Sequence, residues 1–223
     1  MRTLIVAPHP DDEVIGCGGL ILRRKSEGAS VGWLIMTEMK ESEGWPQDAV
    51  NSKNLQIEAV REKLQIESND MFSQGFSASM LDQVSKINLV ERVSEVFTAF
   101  QPEEVFLPHP GDAHSDHRLT FEAAIACTKW FRYPGVKRVL TYETLSETDY
   151  GRDPTNMNFK PNLFVNIEGF LATKKEILNI YLGEVGNFPF PRSVQAIDAL
   201  AKLRGSQAGY LAAEAFDLIY ERI

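Results

Sequence analysis

The stretch "LIVAPHPDDEVIGCGG", residues 4–19, runs an apolar tetrapeptide into one histidine, two prolines and three successive acids, and then into a glycine-rich apolar segment. A short apolar run closed by proline predicts a buried strand over Arg2–Ala7, and the periodicity that follows predicts a helix over Val14–Glu27 ending near Gly28. The chain therefore opens β-loop-α. Its negative charge is concentrated where strand gives way to helix.

The same alternation continues outward. "ASVGWLIMT" (29–37) reads as a second strand, "DAVNSKNLQIEAVREKLQI" (48–66) and "DQVSKINLVERVSEVFTAF" (82–100) as helices, the latter stopped by Pro102. "EEVFLP" (103–108) is a further buried strand and residues 115–130 a helix. Beyond them, "RVLTYETL" (138–145) and "NLFVNI" (162–167) read as strands, and residues 168–181 and 193–204 as helices. Strands alternating with helices of this length predict an α/β fold, a Rossmann-like three-layer sandwich with a mainly parallel sheet. No linker, repeat or low-complexity tract divides residues 1–223, which are expected to form one domain.

Composition narrows the function. A net charge of -8 supplies no basic face for nucleic acid, and 43% hydrophobic residues support a full core. The two cysteines, Cys17 and Cys127, form neither a disulfide framework nor a metal knuckle. The first apolar run is too short for a signal peptide, and no apolar stretch approaches the ~20 residues of a membrane span. A cytoplasmic protein acting on a small molecule is expected, with neither nucleic acid nor membrane as partner and assembly into a homo-oligomer left open.

All four histidines, His9, His109, His114 and His117, fall in two stretches, "PHPDDE" (8–13) and "PHPGDAHSDHR" (108–118), each following a predicted strand. In open parallel sheets ligands bind beyond the carboxyl ends of the strands. A dinucleotide site fails on spacing: after Gly16 and Gly18 the third glycine of the fingerprint would fall at Ile21, and Asp11, Asp12 and Glu13 would repel a pyrophosphate. The glycines are better read as sites of close helix packing. A metal cation accounts for the acids, because it neutralises clustered carboxylates and takes imidazole and carboxylate together. His9 and Asp12 are three apart, as are His114 and His117, so each pair can face one direction. Helix capping explains one acid, but not three acids beside a histidine.

The paired motifs "HPDDE" and "DAHSDHR" resemble those of the LmbE/PIG-L family of zinc-dependent de-N-acetylases, which includes deacetylases of the mycothiol and bacillithiol pathways. "YETL", "LFVNI" and the closing "LRGSQAGYLAAEAF" (203–216) extend the resemblance over nearly the whole chain. It implies that His9, Asp12 and His117 bind Zn2+, that Asp11 is the general base, and that His114 protonates the leaving amine or stabilises the oxyanion, with Asp116 orienting it. The implied reaction removes an N-acetyl group from an amino sugar or sugar conjugate. Cleavage of another small-molecule amide in the same cleft, or a silent metal-binding module, are the alternatives. The presence of both Asp11 and His114 speaks against the silent module, since a pure binder needs neither a base nor an acid.

Other residues carry two readings each. Glu13 and Arg118 either brace the loops behind the ligands or form a plain ion pair. His109 either touches substrate or is a structural loop histidine. Trp45, in the loop after the second strand, either stacks on a sugar face or anchors its loop. Lys53 and Gln56 stand where the family often has Arg and Glu, and Ala78 near a place that often carries an acid. These departures mark Lys53 as a candidate substrate contact and imply a substrate other than inositol- or malate-linked glucosamine.

Overall fold

The computed structural model describes residues 1–151 and 158–223. In it the opening apolar run is strand β1 (Arg2–Ala7) and the glycine-rich run is helix α1 (Asp12–Ser26). There follow β2 (Ser30–Glu38), α2 (Gln47–Lys63), β3 (Met71–Ser77), α3 (Lys86–Phe100), β4 (Glu104–Pro108) and α4 (Ser115–Ala126). The chain continues through β5 (Arg138–Tyr142), β6 (Leu163–Asn166), α5 (Leu171–Leu178), α6 (Val194–Ala208) and β7 (Ala213–Glu221).

The strands form one seven-stranded sheet in the order β3-β2-β1-β4-β5-β7-β6. β3, β2, β1, β4 and β5 are mutually parallel, and β7 runs antiparallel to both β5 and β6. Because side chains alternate across a strand, β1 feeds both faces. Leu4 and Val6 pack with Leu34, Met36, Val105 and the α3 residues Val93 and Phe97. Ile5 and Ala7 pack with Trp33, Phe106 and residues of α1, α2, α5 and α6. These are the three layers that continuous apolar strands require.

Two strands escape the sequence pattern. β3, "MFSQGFS", is an edge strand with no fully buried residue and carries Gly75 at positive φ, so it shows little apolar alternation. β7, "AEAFDLIYE", starts with two alanines around a glutamate, and its apolar character is spread between a buried and a solvated end. Helix ends also differ. The expected 82–100 helix begins at Lys86 behind the Ser85 cap, because Leu81–Gln83 form a separate turn, and the helix expected to reach residue 130 stops at Ala126.

The glycines of α1 serve packing, as expected. A Cβ on Gly16 would run into the Tyr142 ring, and one on Gly19 into Ile167. Helix α1 can therefore lie directly against the sheet. No helix among the described residues is long and apolar enough to cross a membrane.

β1 is flanked by β2 and β4. From β1 the chain winds outward through β2 and β3, then returns to β4 and winds the other way through β5. The loops leaving β1 and β4 part in opposite directions and leave a crevice at the carboxyl edge of the sheet.

Candidate active site at the β1–β4 crevice

The loop leaving β1 turns on an unusual backbone. Asp11 has φ 135 and ψ -30, a region that costs a residue with a side chain on the order of 1–3 kcal/mol. Glu13 holds it there: Glu13 Oε2 accepts the Asp11 N–H at 3.0 Å, while Oε1 accepts the Tyr181 hydroxyl at 2.7 Å. Burial pushes the Glu13 carboxyl up to about 8, against the lowering pull of these hydrogen bonds. On the β4 side, Arg118 donates through Nη1 to the carbonyls of Asp112 and Ala113 at 2.8 and 2.6 Å. Glu13 and Arg118 thus brace the two motif loops separately and do not pair with each other.

His9, Asp12 and His117 converge, with one potential donor atom of each lying within 4.8 Å of the others. Asp12 Oδ2 is 3.4 Å from His9 Nδ1 and 3.3 Å from His117 Nε2. Each imidazole spends its other nitrogen on a second carboxylate: His117 Nδ1 on Asp112 Oδ2 at 2.8 Å, and His9 Nε2 on Asp116 Oδ2 at 3.1 Å. Asp112 is anchored in turn by the Thr148 hydroxyl, which donates to Oδ1 at 2.6 Å. A carboxylate behind an imidazole fixes its ring and raises its basicity, which is how histidine ligands of metals are commonly held. Two imidazoles and one carboxylate opening on a cavity match the donor set of a catalytic zinc site, which keeps a position open.

The charge balance in the metal-free protein agrees. Burial alone would lower the His9 imidazole, but hydrogen bonds to Asp116 and Asp12 outweigh it and raise it to about 9. His117 is raised to about 10, the charge of Asp12 and the hydrogen bond to Asp112 prevailing over burial. Asp12, which burial would raise, is pulled well below the usual carboxylate range by both imidazoles. Two protons therefore sit where one divalent cation would. A second group, His9, His114 and Asp116, also comes within donor range. The Asp116 carboxylate and one His114 nitrogen of that group are already committed: Asp116 accepts from the N–H groups of Ser79 (2.6 Å) and Leu81 (3.1 Å), and His114 Nδ1 accepts from the Asp116 N–H (3.1 Å).

That last bond makes His114 the N-cap of α4 and places its neutral-form proton on Nε2, which faces the cavity 3.4 Å from Ser79 Oγ. Burial and the neighbouring His9 charge lower the His114 pKa, so the neutral Nε2–H donor is favoured. Asp116 holds His114 through its backbone and not through its side chain. Its carboxylate, on the first turn of α4, points at His9 and the start of the β3–α3 connection, and only its backbone N–H reaches His114.

A cavity of about 250 Å³ lies over this group, with Asp11, Asp12, His114 and His117 among its lining residues. Trp45 and Lys53, both expected at the substrate, line it too. Trp45 is 47% exposed, so its ring is available at the rim. Lys53 Nζ is bound to Glu184 Oε1 at 2.7 Å and lies over the Tyr181 ring. His109 is buried, packs edge-on to Phe159 at 5.4 Å between ring centroids, and is not among the residues lining the cavity, which favours the structural of its two readings.

Three functional neighbours were not singled out from the sequence. Asp112 was visible as a third acid in "PHPGDAHSDHR", and its place behind His117 follows once α4 begins at Ser115. Arg192, whose Nη1 donates to Asp11 Oδ2 at 2.8 Å, and Glu184, 3.5 Å from the same nitrogen, come from the α5–α6 connection and carry no local motif. Burial and the charge of Asp12 push the Asp11 carboxyl up to about 7, with Arg192 acting in the opposite direction.

Comparison with known proteins places this geometry. The family model described as GlcNAc-PI de-N-acetylase, PIG-L, matches residues 4–128, more than half of the chain and both motifs. A diacetylchitobiose deacetylase of Thermococcus kodakarensis is 24% identical over 187 residues, covering 78% of this chain and 66% of that protein, just under two thirds of its length. Among solved structures, an N,N'-diacetylchitobiose deacetylase of Pyrococcus horikoshii superposes with a TM-score of 0.78 at 20% identity, covering 98% of this chain and 84% of the other. A 4-carboxy-2-hydroxymuconate hydratase of Pseudomonas putida gives a TM-score of 0.74 at 18% identity, covering 100% and 98%. The fold is shared across both reactions and does not by itself set the chemistry.

Proposed function

Since this chain belongs to the GlcNAc-PI de-N-acetylase (PIG-L) family, we propose that it is a metal-dependent N-deacetylase acting on an N-acetylated amino sugar or sugar conjugate. The observation that carries this reading is the convergence of His9, Asp12 and His117 beside two proton-transfer groups, Asp11 and His114, on the floor of one cavity. The donor set suits zinc. When bound, the ion supplies Lewis acidity, acidifying the attacking water toward a pKa of about 7 and polarising the acetyl carbonyl.

This chain's own residues divide the remaining work. Asp11, ionised above a pKa of about 7, takes the proton of the attacking water. His114 presents its Nε2–H to the carbonyl oxygen as negative charge develops there, and the proton Asp11 has taken from the water is the one available to the departing amine. Asp116 and Asp112 hold the His9 and His117 rings, and Trp45 offers an aromatic face to the sugar at the rim. A hydratase needs a base and an acid as well, but a curated relative of this chain is named for removal of an acetyl group from an acetylated sugar. Incubation of metal-loaded protein with a panel of N-acetyl sugars, including N-acetylglucosamine and diacetylchitobiose, should release acetate and free amine in equal amounts. Absence of release from the whole panel would refute the reading.

A further inference from the structure

We propose that Arg192 is the residue that positions the Asp11 carboxylate, so that one oxygen is held and the other is presented to the reacting water. The role given to Asp11 rests on the deacetylase reading; the contact itself does not. Asp11 sits on a backbone held by Glu13 through the amide alone, which leaves its side chain to be fixed by something else. Arg192 Nη1 supplies that, donating to Oδ2 at 2.8 Å, and among the described residues Oδ1 takes no hydrogen bond.

The guanidinium is itself restrained from several sides. Glu184 Oε2 lies 3.5 Å from the same Nη1, and Lys53 Nζ holds the other Glu184 oxygen at 2.7 Å. The Phe190 ring centroid is 5.9 Å from the guanidinium carbon. The next residue, Ser193, caps α6 by accepting the Ala196 N–H at 3.1 Å, so Arg192 leaves a fixed helix start. Lys53 comes from α2, Glu184 from the residues after α5 and Arg192 from those before α6, and all three line the cavity. A chain of alternating charge thus runs from the cavity wall to the base. Arginine suits the position because its planar fork can hold a carboxylate in one orientation, which a lysine point charge does less well.

A purely structural Arg192 would tie down the α5–α6 connection and nothing more, and a double-variant cycle separates the two roles. The protein set is wild type, Arg192→Met, Arg192→Lys, Asp11→Asn and Asp11→Asn/Arg192→Met, each assayed on an N-acetyl sugar that wild type hydrolyses, with metal content measured in parallel. Arg192→Met is expected to lower kcat about 10²-fold with metal per chain unchanged, because a misplaced base costs rate without touching the ligands. Arg192→Lys should recover part of that loss. The double variant should be no slower than Asp11→Asn alone, because groups acting as one unit are not additive. An Arg192→Met variant within about threefold of wild type, or a loss that adds in full to that of Asp11→Asn, overturns the proposal. Wild-type inactivity toward every sugar refutes the deacetylase reading instead, and melts of the same proteins then decide the contact. Arg192→Met should lower Tm more beside Asp11 than in the Asp11→Asn background, where only its Glu184 and Phe190 contacts are lost. Equal Tm losses in both backgrounds overturn the proposal.

Discussion

Loading the metal-free protein with a divalent ion should expel protons, and the number is set by the site. His9 and His117 are raised to about 9 and about 10 because Asp12, Asp112 and Asp116 surround them with negative charge. At pH 8 both imidazoles are then about nine-tenths protonated or more, whereas imidazoles at the ordinary value of about 6.5 would each carry less than a tenth of a proton. A metal takes its histidine ligands neutral, so uptake at pH 8 should release close to two protons per ion from the imidazoles, and up to one more from a bound water acidified toward a pKa of about 7. The sign for stability follows. A raised pKa contributes stability that is fully present below about 6.5 and is lost as pH rises through the folded values of about 9 and about 10. Metal-free protein should therefore lose stability across that window, while metal affinity climbs across it. Titration calorimetry with zinc in buffers of different ionisation enthalpy reads the proton count directly. Release of well under one proton at pH 8 would show that the ion does not displace the protons shared around Asp12, and that the ligand assignment is wrong.

Further expectations separate the residues. Asp12→Ala should lose metal affinity, whereas Asp11→Asn should keep about one ion per chain and lose on the order of 10²–10⁴ in turnover; an Asp11→Asn variant within a few-fold of wild type would remove Asp11 as the base. Asp112→Ala should weaken metal affinity about 10–100-fold by freeing the His117 ring, measured by competition with a chelator, and unchanged affinity would refute the bracing role. Trp45→Ala should lower kcat/KM for the true substrate with metal content unchanged, and an unchanged value would return Trp45 to its loop.

The four parallel strands inside the sheet and most helices were legible because each is buried on a defined face. β1, β2 and β4 are apolar almost throughout, and Val93, Phe97 and Phe100 mark the inner face of α3. β3 and β7 were not, since an edge strand and a strand half-solvated at one end owe their conformation to neighbours rather than to their own pattern. The site divides in the same way. His9, Asp12, His114 and His117 lie in two local motifs at strand ends, so topology alone brings them together. Arg192 and Glu184 reach the base from the α5–α6 connection, where a single arginine between Pro191 and Ser193 looks like any other loop residue. Asp116 shows a finer limit: its presence near the histidines followed from sequence, but which ring its carboxylate faces depends on how α4 sits against the β3–α3 connection.

The three successive acids of the opening motif are accounted for by three separate directions. With an ordinary backbone at residue 11, three carboxylates in a row at a helix start would serve the same terminus and repel one another. The turn at Asp11, φ 135, breaks that redundancy. Asp12 points between the two imidazoles, Asp11 toward Arg192 and the cavity, and Glu13 back into the protein, onto the Asp11 amide and the Tyr181 hydroxyl. The last of these sustains the first two, because the strained turn is held by the Glu13 carboxyl that accepts its N–H. Glycine at position 11 would relieve the strain but remove the base. A side chain at positive φ is therefore the cost of placing a ligand and a proton acceptor on adjacent residues, and Glu13 is the group within the motif that offsets it.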